Sequence, residues 1–165
     1  MAGPGKTEYV VGLKDFFGSE IRKKGILDPK RFHKEIIPWF FENKYIFNET
    51  NITNKDTTAG KEQKIIWNAF RKVDDYFKFN IEVELLFWRW RGEKAELNLR
   101  FKGWLEKDYM DKFRRRFGPK FGEFMRKIYE MYVINEKIDK MKGKVWVETN
   151  DLIDECKKIT GSLLR

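Results

Sequence analysis

The sequence predicts an α+β fold: an antiparallel sheet of about four strands, with N-terminal and C-terminal helices packed on its apolar face. Two observations carry this. From Tyr76 to Arg91 the odd positions Phe77, Phe79, Ile81, Val83, Leu85 and Phe87 are apolar, while Lys78, Asn80, Glu82 and Glu84 are polar. A second arm, Ala95 to Leu105, sets Leu97, Leu99, Phe101 and Leu105 against Glu96, Asn98, Arg100 and Lys102. Alternation over this length means a sheet with one face buried and the other wet. Gly92-Glu93-Lys94 is the polar break that closes the arms as an antiparallel hairpin. Both apolar faces share a side when paired residue numbers sum to an even value, as with Phe87 opposite Leu99 and Leu85 opposite Phe101. The second observation is helical spacing of apolar residues on both flanks of this ribbon. A helix-grip-like arrangement, a curved sheet holding a long helix, meets that order of elements.

Along the chain, residues 1–7 read as a flexible leader. From Tyr9 to Lys24, Val10, Leu13, Phe16, Phe17 and Ile21 recur at helical spacing, against the cost of Gly12 and Gly18. Asp28 is a good N-cap and Pro29 a good first residue for a helix carrying Phe32, Ile36, Ile37, Phe40 and Phe41. Pro38 inside that run predicts a kink, or two short helices meeting at Ile37 and ending near Asn43. Tyr45–Thr50 reads as a short strand, Asn51–Glu62 as an exposed loop, and Lys64–Val73 as a strand with Ile65, Trp67, Ala69 and Val73 on one side. Asp74-Asp75 turns the chain into the hairpin.

After a charged, broken stretch from Glu106, a helix is expected from Pro119 to Lys142. Its stripe is Phe121, Phe124, Met125, Ile128, Met131, Tyr132, Asn135 and Ile138. Gly143 is expected to end it, and Lys144–Glu148 to bridge to a last helix capped by Thr149 or Asn150. The 165 residues contain no repeat or low-complexity linker, so a single domain over 1–165 is expected.

The 15 Phe and 6 Trp set the chain apart from disordered sequences despite 37% charged residues. With one cysteine, Cys156, no internal disulfide can form, and a reducing cytoplasm is the simplest setting. Neither an apolar run of membrane-spanning length nor a signal-peptide pattern is found. The bias toward Lys, Glu and Ile, with a single Gln, is one found in proteins of hot environments.

Catalytic chemistry has little to work with. Gly3-Pro-Gly-Lys-Thr7 has the ending of a phosphate-binding loop but not its leading glycine or the strand before it. His33 and Cys156 are the only imidazole and thiol, too few for a zinc constellation within one chain. The acidic groups Asp74/Asp75, Asp108/Asp111 and Asp151/Asp154/Glu155 sit at turns and helix starts, where acids are expected structurally. Ser19 and Ser162 lie in no nucleophile turn. Glu82 and Glu84 share a wet face and are expected to pair with Arg100 and Lys102 across the hairpin. No cofactor and no metal is expected.

Charge and tryptophan carry the remaining signal. The chain bears a net +9, which favours encounters with polyanions and anionic membranes. Segment 107–127 holds eight basic and three acidic residues, a net of +5. Lys112, Arg114, Arg115, Arg116, Lys120, Arg126 and Lys127 are its candidate anion or nucleic-acid contacts. Trp88, Trp90 and Trp104 fall on the nominally wet sheet face and are candidate partner or ligand contacts. Together these features point to a non-enzymatic binding or assembly module. Its apolar cavity or Trp-bearing sheet face would take a protein partner or a hydrophobic ligand. The alternative is a nucleic-acid or anionic-surface binder acting through segment 107–127.

Overall fold

The computed structural model describes residues 6–12, 18–26, 29–58, 60–91 and 94–162. The fold is mixed α+β. Among the described residues six strands, β1 (Thr7–Val11), β2 (Ser19–Ile26), β3 (Ile46–Thr57), β4 (Gly60–Lys72), β5 (Phe77–Arg91) and β6 (Lys94–Lys107), pair antiparallel in one sheet. Its order is β1-β6-β5-β4-β3, with β2 also paired to β6. The helices are α1 (Pro29–Glu42), α2 (Lys112–Phe117), α3 (Pro119–Tyr132) and α4 (Asn135–Ser162). The sequence-predicted four-strand sheet is thus a coarser version of a larger one.

The hairpin β5–β6 is the centre of the sheet. Its ten odd-numbered apolar residues, Phe77 through Phe87 and Leu97 through Leu105, are each 2% exposed or less. Leu85 faces Leu99 and Phe87 faces Leu97. The even sum holds, but the register is two residues from the one expected. Lys94, expected in the turn, pairs with Arg91 and shortens the connection. The register shift between Trp88 and Arg91, where Arg89 takes φ 50°, absorbs the difference.

The N-terminal helix expected over Tyr9–Lys24 is replaced by β1 and β2. Val11 pairs with Gly103 and Ser19 with Phe101, so β6 advances two residues while this chain spends eight. The two strands pair along the same side of β6, and Gly12 and Gly18 come together between them. Gly12 takes φ 76°, and a Cβ built on Gly18 would overlap the Gly12 nitrogen. The glycines that weakened the helix reading were marking this pinch. Leu13, Phe16 and Phe17 lie outside the described residues, as do most of residues 1–7. Lys6 and Thr7 are placed: the Lys6 carbonyl accepts from Lys107 N–H at 2.7 Å and Thr7 pairs with Glu106.

Helix α1 runs unbroken through Pro38 rather than splitting at Ile37, and Asp28 lies outside the described residues. Pro38 is exposed, so the hydrogen bond its ring removes is lost on the solvent side of the helix, where that loss costs least. Phe32, Ile36 and Phe40 on the other side are fully buried, with Phe32 stacked at 6.2 Å on Trp67 of β4. The expected loop Asn51–Glu62 is instead the end of the β3–β4 hairpin, with Asn54 opposite Gln63 and Lys55 opposite Glu62. Thr53 to Asp56 are all exposed, so neither face of this stretch needs apolar residues. Ile65, Trp67 and Ala69 are buried as expected, but Val73 falls past the end of β4 and is 37% exposed.

The expected helix Pro119–Lys142 is divided earlier, at Val133–Ile134, and α4 continues through Gly143 to Ser162. A Cβ at Gly143 would meet nothing within 4 Å, so that glycine costs α4 only about 1 kcal/mol of helix propensity. Burial of Ile138, Met141, Val145, Leu152, Ile153, Cys156 and Ile159 against the sheet outweighs it. The connector Lys144–Glu148 is helical, and Thr149, expected as a cap, is buried mid-helix, its hydroxyl donating to the Val145 carbonyl at 2.7 Å. There α4 closely approaches β6: a Cβ built on Gly103 would overlap the Thr149 hydroxyl.

Candidate docking surface on α2 and α3

α3 has the helical stripe the sequence predicts, but the stripe faces away from the protein. Phe121 and Phe124 are each 56% exposed, Met131 63% and Tyr132 77%. Ile128 beside them and Val133 just past the helix are also exposed. The buried residues of α3 are Gly122 and Arg126. Gly122 is buried because α2 lies against it: a Cβ there would sit 2.5 Å from the Phe113 carbonyl oxygen and 2.9 Å from the Arg114 Cα.

Ionic and hydrogen-bonded groups hold the inner side of α3. The Arg126 guanidinium donates to Glu130 at 2.8 Å, one turn on. Glu130 also accepts from Lys107 of β6 at 2.8 Å and from the Tyr76 hydroxyl at 2.7 Å. Lys107 in turn pairs with Glu8 of β1, which Lys142 of α4 reaches at 2.5 Å. Burial pushes the Glu8 carboxyl up, but hydrogen bonds from Lys107 and Lys142 more than offset this, and its pKa lies below the ordinary value. Burial, and then the bond to Glu130, raises the Tyr76 phenol, so it stays a donor. Three cations and two carboxylates from α3, β6, β1 and α4, together with the Tyr76 hydroxyl, thus anchor the helix.

The arginines follow from the same geometry. α2 starts where Asp108, fully buried, accepts the Lys112 N–H at 2.8 Å; its second carboxylate oxygen has no hydrogen-bond partner and lies 4.0 Å from the Lys6 ammonium. Asp111 takes a hydrogen bond from Lys6, which holds its carboxyl below the usual range. Arg114, Arg115 and Arg116 are exposed. Arg114 lies 4.0 Å from Asp111, and the Arg116 guanidinium lies 5.4 Å over the Phe117 ring. Among the described residues Arg115 and Lys120 make no ion pair, while Lys127 stands 3.7 Å from Glu123 and Lys112 3.0 Å from Asp75. Six of the seven predicted cations therefore lie at the surface of α2–α3, and Arg126 points inward.

Aromatic rings continue across this surface. Phe113 lies 5.3 Å from Tyr129 and 6.3 Å from Phe117, Phe117 lies 6.0 Å from Phe121, and Phe121 lies 6.3 Å from Phe124. A depression of about 270 Å³ lies at the inner end of this row, lined by Tyr76, Lys112, Phe113, Arg116, Phe117 and Tyr129.

The tryptophans are not brought together with it. Trp104 is half-buried against Tyr9, ring centres 5.6 Å apart. Trp88 is 43% exposed and lines a separate depression with Lys55, Glu62, Lys64 and Leu86. The side chain of Trp90 is outside the described residues. The charged sheet face between them is closed by ion pairs across four strands: Lys64 to Glu84 at 3.2 Å, Glu84 to Arg100 at 3.6 Å, Arg100 to Glu20 at 3.1 Å, and Lys102 to Glu82 at 3.5 Å. Hydrogen bonds from Asn98 and then Arg22 bring the Glu20 carboxyl down to about 2.

Other candidate groups have structural partners. His33 lies 2.9 Å from Glu49 and edge-on to Trp67. Asp74 accepts the Tyr76 and Phe77 N–H groups, each at 2.8 Å, and makes the turn into β5. Asp154 and Glu155 pair with Lys157 and Lys158 one turn on. Burial raises the Cys156 thiol well above its usual value, keeping it unreactive. Among the described residues no helix is long and apolar enough to cross a membrane. Sequence reasoning named every apolar residue of the α3 stripe but assigned it to the core, because periodicity is the same on either side. The only sequence signal for the true orientation was Arg126 and Glu130, two charges one turn apart on the opposite side. Compared with models of protein families, with curated proteins and with solved structures, the chain matches none.

Proposed function

We propose that this protein is a binding or assembly module whose contact surface is the outward side of α2 and α3. The observation that carries the reading is the orientation of α3, which keeps five large apolar side chains in water while Arg126 and Glu130 are spent inside. Apolar surface of that extent is retained against its solubility cost when a partner covers it. The strand order, with β1 beside β6 and α4 laid over the apolar side, supports a helix-grip reading of the fold. Val83, Leu85, Leu99, Phe101, Val145 and Leu152, where sheet and helix meet, are at most 1% exposed, which favours an external contact over an interior ligand. Trp88, exposed beside a separate depression, would be a second contact.

A photo-crosslinking residue at position 124, in the full chain expressed in its native cells, tests the reading. Adducts are expected there and at position 131, and not at the equally exposed Lys157 of α4. Equal labelling at all three sites, or at none, contradicts it.

Nucleic-acid binding through segment 107–127 is the second reading, favoured by the exposed Arg114, Arg115, Arg116 and Lys120 standing together at the surface. True phosphate contacts weaken binding linearly in log salt, and replacing Arg114, Arg115 and Arg116 by Ala would flatten the slope by about 3. No affinity for DNA or RNA at low salt removes it.

A further inference from the structure

We propose that the occupant of the α2–α3 surface is an anionic lipid bilayer, on which α3 lies flat as an interfacial helix. The inference rests on the docking reading above and names its partner. At about 1.5 Å per residue the fourteen residues of α3 extend about 21 Å. Phe121, Phe124, Ile128 and Met131 follow one another along that length, with Lys120 and Lys127 on one flank of the stripe and the α2 arginines at its start. Apolar side chains along one line, bordered by cations on a helix that packs by its opposite side, are the parts of a helix that sits at the headgroup–acyl boundary.

Charge and shape select among occupants. A second copy docked by the same surface would bring two basic rims together, each carrying Arg114, Arg115, Arg116, Lys120 and Lys127, and would be repelled. A nucleic acid would use the arginines and stack on rings, yet would leave Ile128, Met131 and Val133 in water. An acidic protein would need a groove shaped to a ridge whose side chains stand a third to three-quarters exposed. A bilayer needs no matching shape: its phosphates and carboxylates take the cations while its outer acyl carbons take the Phe, Ile and Met side chains.

Vesicle co-sedimentation of the full chain tests this. Binding is expected to phosphatidylcholine vesicles containing phosphatidylserine, and not to phosphatidylcholine alone. R114Q/R115Q/R116Q is expected to weaken partitioning roughly a hundredfold, from about fivefold per charge near an anionic surface. F121S/F124S is expected to weaken it by at least about tenfold. Both variants should keep the wild-type thermal transition, since the side chains replaced are exposed. No binding to anionic vesicles at low salt, or binding that both variants retain, overturns the proposal. If vesicles fail while position 124 still crosslinks to a protein in cells, the lipid inference falls and the docking reading stands. If position 124 also yields no adduct, both fall.

Discussion

Helices α3 and α4 follow one another across a two-residue break, and each carries an apolar side and a charged side. In α4 the apolar side meets the sheet, and lysines and acids such as Lys157 and Asp154 pair along its wet side. In α3 the relation is reversed. Arg126 and Glu130 face inward, where Glu130 meets Lys107 and Tyr76, and the phenylalanines face water. Amphipathicity therefore fixes the period of a helix and leaves its direction to what the body offers. Where α4 lies, the sheet offers Val83, Leu85 and Phe101; where α3 lies, it offers the end of β6 with a buried lysine.

The contrast makes graded predictions. The largest effect is expected inside α3: Glu130→Ala leaves Lys107 and Arg126 buried with a lost partner and should cost about 3–5 kcal/mol of unfolding free energy. Leu152→Ala in the apolar side of α4 should cost about 2–5 kcal/mol in the same denaturation experiment. Phe124→Ala, chemically a larger truncation, should change stability by no more than about 0.5 kcal/mol, because its ring has little packing to lose. A cost for Phe124→Ala close to that of Leu152→Ala would erase the distinction between the helices.

Two close approaches sharpen it further. Gly103→Ala should cost about 1–3 kcal/mol by pressing on Thr149, and most of that should vanish in a Thr149→Ala background. Gly122→Ala should cost a similar amount by pushing α2 off α3, with no rescue from any side-chain truncation, since its obstacles are the Phe113 and Arg114 backbones.

The smallest effect is a pH dependence on the sheet's charged face. Glu20 has its pKa lowered from 4.5 to about 2 in the folded protein, so its contribution is complete above pH 4.5 and lost as pH falls toward 2. Because Glu20 is a third exposed, that contribution is about 1 kcal/mol or less and shrinks with salt. Glu20→Gln should make the acid limb of a stability–pH curve shallower in this range and leave stability at pH 7 to 8 nearly as flat as before.

How much of this was legible in the sequence depended on whether one pattern had one structural meaning. Alternation in Tyr76–Leu105 did: a strand with Phe77, Phe79 and Ile81 in phase has one way to bury them, and only the register needed the bulge at Arg89. Asn51–Glu62 was misread because Thr53–Asp56, exposed on both faces of the hairpin, leave no alternation to find. Val10 and Ile21 were misread because residues spaced by eleven fit three helical turns, while the true signal was the pair Gly12 and Gly18 closing a pinched edge. For the candidate surface, residue identities were legible and direction was not. Segment 107–127 displayed its cations plainly, but that Lys107 and Arg126 are the buried ones required their meeting with Glu130 in three dimensions.

The orientation of α3 is best tested by thiol labelling in a Cys156→Ser background, which removes the one native thiol. Cysteine placed by Phe124→Cys should react with a soluble maleimide about as fast as in the unfolded chain. Cysteine placed by Leu152→Cys should be protected by several orders of magnitude. Protection at position 124 comparable to that at 152 would mean that α3 buries its phenylalanines like an ordinary core helix, and the docking surface would not exist.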